Sequence, residues 1–65
     1  MPKLPRWRAS EAEAALLQAG FRMLRSSGSH RIYGQANRRV VLPFHAGRVL
    51  HPKIVKQVMA AISDT

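Results

Sequence analysis

The stretch RSSGSHRIYG, residues 25–34, places His30 after a Ser-Ser-Gly-Ser turn and before a run of strand character. Arginines flank it at positions 25 and 31, and no carboxylate is close in sequence. Histidine titrates near neutrality, so it can take and return a proton. Basic neighbours favour its neutral, proton-accepting form. The chemistry within reach is therefore acid–base catalysis, with arginines stabilising developing negative charge. Cleavage of RNA needs little more, because that substrate carries its own nucleophile, the 2′-hydroxyl. A base removes its proton, an acid protonates the leaving oxygen, and cations stabilise the crowded phosphorane. The competing reading of His30 is a surface histidine with no chemical task.

Other chemistries find less support. The three acids, Glu11, Glu13 and Asp64, lie near the two ends of the chain, so none falls among the strand-like segments to hold a metal. A histidine-only zinc site would need His30, His45 and His51, and no two of these have the helical i, i+4 spacing. A Ser-His-Asp triad lacks its buried Asp. No phosphate-loop or dinucleotide glycine pattern is present. There is no cysteine, hence no disulfide and no thiolate site. No metal and no small-molecule cofactor is expected.

Charge narrows the partners. Eleven Lys and Arg against three acids give +8, and residues 14–63 contain no carboxylate at all. Within that span lie Arg22, Arg25, Arg31, Arg38, Arg39, Arg48, Lys53 and Lys56. Such a field attracts polyanions, and the predominance of arginine suits bidentate phosphate contacts. Nucleic acid or an acidic protein is the expected partner. The basic N-terminus is followed by no apolar run, so neither a signal peptide nor a membrane span is expected, and a cytoplasmic location follows.

The elements that must position these residues are readable in order. A chain of 65 residues supports a single small domain with a modest core. Residues 1–7 read as an arm, with Pro2 and Pro5 against helix. ASEAEAALLQA is rich in helix formers. Ser10 with Glu13 fits a capping box, Ala12, Ala15, Leu16 and Ala19 form an apolar stripe, and Gly20 ends the helix. Residues 21–25, 30–35 and 38–44 read as three strands of an antiparallel meander, linked by the SSGS turn and a tight connection at Ala36-Asn37. Pro43 marks the end of the third strand. Pro52 suits the first turn of a second helix, with Ile54, Val55, Val58 and Ile62 as its apolar stripe and Lys53 and Lys56 pointing elsewhere. The expected fold class is α+β, in the order α-β-β-β-α, with both helices on one face of the sheet and an open, basic face opposite. Phe21, Leu16, Val40, Leu42, Ile54 and Val58 read as core.

Several residues have two readings. Gly28 serves the turn. Ser29 either caps that turn or bonds a phosphate. Tyr33 either stacks on a base or packs half-buried in its strand. Trp7 either fastens the first helix to the core or stacks on RNA. His45 is either a second acid–base group or a loop histidine bonded to backbone.

Three segments, AGF (19–21), GSHRIY (28–33) and VLPFHAGRVLHP (41–52), together resemble the HicA toxins, also called YcfA-like proteins. The shared pattern is Gly20-Phe21 after helix one, Gly28-Ser29-His30 before strand two, then Leu42-Pro43-Phe44-His45, Gly47 and Leu50-His51-Pro52. No single motif is decisive; their order and spacing over roughly residues 4–62 carry the likeness. The resemblance implies a fold like the double-stranded-RNA-binding domain and makes His30 the catalytic residue. It also implies ribonuclease activity on messenger RNA and a HicB-type antitoxin as inhibiting partner. One departure stands out. Members commonly open helix one with Ser-Gly-x-Glu, where this chain has Arg8-Ala9-Ser10-Glu11, which is expected to shift the cap to Ser10.

The combined expectation is a metal-independent ribonuclease. His30 is its catalytic group, and Arg25, Ser29, Arg31, Arg38, Arg39, Lys53 and Lys56 contact RNA. Two rival readings are a non-catalytic RNA-binding module of the same fold and a subunit whose basic face docks an acidic protein.

Overall fold

The computed structural model describes residues 4–45 and 47–63. Helix α1 spans Ala9–Gln18 and α2 spans Pro52–Ser63; between them β1 (Arg22–Ser27), β2 (His30–Gln35) and β3 (Arg38–Pro43) form an antiparallel sheet in the order β1-β2-β3. This is the expected α-β-β-β-α order. Most bounds agree to a residue or two. Of the residues expected in the N-terminal arm, 1–3 lie outside the described part, and Trp7 is half-buried against the core.

The cap of helix α1 lies two residues earlier than expected. The N-cap is Arg8, and the Glu11 carboxylate accepts the Arg8 backbone N–H at 2.9 Å. This is the carboxylate half of a capping box, at the position the family pattern gives it. Ser10 therefore does not cap, and Glu13 is released for another task. The far end agrees with expectation. The Gly20 N–H bonds the Leu17 carbonyl at 3.1 Å and the Phe21 N–H bonds the Leu16 carbonyl at 3.0 Å. With Gly20 at φ +100° this is a Schellman closure, and its apolar seal is the buried Leu16–Phe21 pair. Phe21 thus belongs to the helix terminus, and β1 starts at Arg22 and runs on through Ser27. The expected four-residue turn shrinks to Gly28-Ser29, with Gly28 at φ +57°.

Side chains alternate across the strands, and cross-strand partners share a face. Arg31 pairs with Leu42, Tyr33 with Val40, and Gln35 with Arg38. Tyr33, Val40 and Leu42 are buried, so this set faces the helices. His30–Pro43, Ile32–Val41 and Gly34–Arg39 are the partners on the opposite, open face. The core joins these strand residues to Ala9, Ala12 and Leu16 of α1, Phe21, Leu50, and Val55 and Val58 of α2. Ile54 and Ile62 are only partly buried, at the margin of that core. Strand β1 is exposed along all six residues, including Met23 and Leu24 at about half of their full exposure, and carries a bulge between Met23 and Arg25. The helices back β2 and β3, so β1 overhangs.

Two turn positions give opposite expectations from the same physics. Gly20 combines a positive φ with a tight neighbour: an added Cβ would sit 2.6 Å from the Gln35 amide nitrogen. Gly20→Ala should therefore destabilise by roughly 1–3 kcal/mol. Ala36 opens the β2–β3 turn at φ +54°, a conformation costly for an L side chain. Ala36→Gly should stabilise by up to about 1 kcal/mol. Denaturant unfolding of both variants checks the pair; an unchanged midpoint for Gly20→Ala would contradict the closure described.

Candidate functional site

His30 is the first residue of β2, exposed, with Ser27 and Pro43 as its cross-strand partners. Pro43 has no N–H, so the ladder stops there and the imidazole stands at the rim of the sheet. Its backbone is held from both sides. The Ser29 carbonyl accepts the Phe44 N–H at 2.6 Å, closing the loop after β3 onto the turn before β2. The ring itself makes no hydrogen bond or ion pair among the described residues.

Beneath this rim, on the helix side, lies a polar network. Glu13 of α1 accepts a hydrogen bond from the buried Tyr33 hydroxyl and a second, charged one from Arg31 at 3.2 Å. The Arg31 guanidinium also lies over the Phe44 ring, 4.0 Å from its centroid. Burial, reinforced by the hydrogen bond and negative charge of Glu13, pushes the Tyr33 hydroxyl up to about 12, with Arg31 opposing. Tyr33 is therefore a neutral donor at any ordinary pH. It is a core residue with a polar anchor, and base stacking is not open to it.

The residues expected to touch RNA do not form one surface. Arg25 lies on the open face with His30, by its pairing opposite Ile32. Arg39 is also on that face, but its guanidinium folds back onto the Ala36 and Arg38 carbonyls at 3.2 and 2.8 Å. Arg31 is engaged by Glu13 and Phe44 on the helix side. Arg38 reaches the Ala61 carbonyl in the last turn of α2 at 3.4 Å, where a cation complements the helix terminus. Lys53 and Lys56 are exposed on α2. Ser29 is a turn residue, and its carbonyl is the anchor already named. The open face is also less basic than expected. Leu24 lies against Gly34, and with Ile32 and Val41 it makes an apolar strip between the arginines.

The other histidines separate. His51 Nδ1 accepts the Lys53 N–H at 3.0 Å and its carbonyl receives Ile54 and Val55, so it is the N-cap of α2. His45 is exposed on the loop after β3. Among the described residues, no three of His, Cys, Asp or Glu come together in a metal-binding group.

Reading by segment missed Glu13 and Phe44. A signal for Glu13 existed: with Ala9, Ala12 and Leu16 it occupies the i, i+3, i+4, i+7 positions of the apolar stripe. A carboxylate there needs a partner across the interface.

Fold and site together define a small basic α+β protein with a helix-backed antiparallel sheet and a rim histidine. The model of the HicA toxin family of bacterial toxin–antitoxin systems matches residues 9–63, and the chain belongs to that family. It is accordingly the toxin member of a toxin–antitoxin pair and has an antitoxin partner. No curated protein and no solved structure gives a significant match. Among the described residues, no helix is long and apolar enough to cross a membrane.

Removing the acceptor should cost more than removing the donor. Glu13→Ala leaves a buried hydroxyl without a partner, at roughly 1–3 kcal/mol, whereas Tyr33→Phe should cost about 1 kcal/mol. The phenol also sets an alkaline limit. Its folded-state value is raised, so its contribution is intact below about pH 10 and is lost as pH rises toward about 12. Denaturant unfolding against pH, compared between the native chain and Tyr33→Phe, isolates that loss. Equal alkaline slopes in the two proteins would contradict it.

Proposed function

We propose that this toxin is a metal-independent endoribonuclease acting on messenger RNA, with His30 as its catalytic residue. The observation that carries the reading is the contrast at His30: a backbone anchored on both sides and an exposed ring with no partner among the described residues. A general base needs both, a fixed position and a free nitrogen. The imidazole takes the 2′-hydroxyl proton, the 2′-oxygen attacks phosphorus, and the P–O5′ bond breaks to leave a 2′,3′-cyclic phosphate. The departing 5′-oxygen receives a proton from the imidazolium or from water at the open rim. Arg25, on the same face, supplies positive charge near the phosphate, and Arg31 adds to the field from beneath the sheet.

The family's pairing with an antitoxin suggests how the activity is held in check. A HicB-type antitoxin presenting acidic surface to the rim would cover His30 and be steered there by opposite potentials. The acid-free stretch of residues 14–63 supports this, since the toxin offers little to repel such a surface.

Two measurements test the proposal. His30→Ala should lower the cleavage rate by on the order of 100- to 10,000-fold, with a chelator present throughout, while RNA affinity and thermal unfolding barely change. Cleavage that survives the substitution, or that requires added metal, sinks the catalytic reading and leaves a binding module. For the partner, amide-exchange protection on complex formation should concentrate at residues 25–31, with cleavage suppressed. Suppression with this turn unprotected would exclude direct occlusion.

A further inference from the structure

Most of the cations near His30 already have structural tasks. Arg31 is in the one ion pair among the described residues, Arg38 is tied to α2, and Arg39 is folded onto its own turn. Two of the arginines not so occupied stand near the loop after β3. Arg8 and Arg48 are exposed, and neither guanidinium has a protein partner among the described residues. Their backbone segments are nevertheless adjacent. An isolated antiparallel bridge joins Arg8 to Val49, and the Leu50 N–H bonds the Trp7 carbonyl at 2.7 Å. This pairing draws the segment before α1 against the loop after β3. Between them is a concavity of about 440 Å³ whose lining includes Arg8, Ser10, Phe44, His45 and Arg48.

Its walls are chemically one-sided. The residues that line it include two arginines, a histidine and a serine, with Phe44 as the large apolar one and no carboxylate among them. The carboxylate at this rim, Glu11, accepts the Arg8 backbone N–H and does not neutralise the guanidinium of Arg48. Two arginines that line one hollow and have no partner among the described residues are suited to a phosphate, which accepts from several N–H donors at once.

The hollow is also within reach of a strand lying at His30. Pro43 is the cross-strand partner of His30, and His45 is two residues further along. Two extended residues plus one strand spacing place the His30 and His45 Cα atoms within about 12 Å. The backbone between them is anchored to Ser29 through the Phe44 N–H.

We propose that Arg8, His45 and Arg48 form a second phosphate subsite, which grips the backbone of single-stranded RNA one or two nucleotides from the bond at His30. The inference rests on the ribonuclease reading for its substrate, and it assigns His45 to binding and not to proton transfer. It also gives the enzyme a reason to prefer a chain over a dinucleotide, because a single phosphate cannot occupy both places.

The test uses the His30→Ala protein, so that binding is read without cleavage, and two probes, an eight-nucleotide single-stranded RNA and a dinucleoside monophosphate. Arg8→Gln with Arg48→Gln should weaken the eight-mer roughly three- to tenfold and flatten its salt dependence by about one phosphate's worth per arginine. Dinucleotide affinity should stay the same. The α1 cap uses the Arg8 backbone, so unfolding should be unchanged, and the single Arg48→Gln variant repeats the test away from the helix. Eight-mer affinity unaffected by the substitutions overturns the subsite, even where His30→Ala has abolished cleavage. Equal weakening of both probes overturns it too, since that is a general field effect. Cleavage persisting in His30→Ala would refute the catalytic assignment alone, leaving the length-dependent binding to decide the subsite.

Discussion

A single carboxylate, Glu13, joins the middle of helix α1 to strand β2 by charged and directional bonds, where Gln35 of β2 holds only the helix end through the Ala19 carbonyl at 3.0 Å. It accepts from the buried Tyr33 hydroxyl and from the Arg31 guanidinium, which in turn lies on Phe44. A small domain has few ways to specify how a helix sits on a sheet, because Ala9, Ala12 and Leu16 would slide against β2 and β3 at little cost. A directional interaction in a partly buried place removes that freedom. Sliding α1 by a turn would strand the Tyr33 hydroxyl and a charge away from water, and each is costly.

The same network reaches the candidate catalytic group. Arg31 follows His30 in the chain, and Phe44 carries the N–H that closes onto Ser29, the residue before His30. The rim histidine is thus bracketed by two residues whose positions trace back to Glu13. Its ring is free while its backbone is not. A catalytic histidine on a mobile hairpin would need to be ordered at each encounter with substrate, and the cost of that ordering would appear in the rate.

Positive charge in this protein is not a uniform coat. Arg31, Arg38 and Arg39 each direct a donor to a carboxylate, a helix terminus or a turn, whereas Arg8, Arg25 and Arg48 have no such partner among the described residues. All contribute to the long-range field that draws in a polyanion. Side chains without such ties are freer to make the short contacts that set where it lies. The open face adds an apolar strip, Leu24 with Ile32 and Val41, between its arginines.

Much of this was legible locally. The helix stop at Gly20, the turn glycine at position 28, the strand end at Pro43, the start of α2 at Pro52, and the segment order all follow from short-range preferences of backbone and side chain. So did the placing of His30 at a strand mouth, since the Gly-Ser turn before it is a local event. Motif order sufficed for the family. Segment reading erred where the answer depended on a residue far along the chain. Ser10 and Glu13 satisfy the capping pattern, yet the cap is Arg8 with Glu11. Glu13 instead meets β2, 18 and 20 residues along the chain. Arg31 and Arg39 look alike in sequence, and only the strand register puts one under the sheet and the other over it. Local sequence determined which elements form and where they end, because those energies are settled within a few residues. Tertiary structure decided which charges are consumed and which stay free, because a charge's partner is chosen by packing across the whole chain.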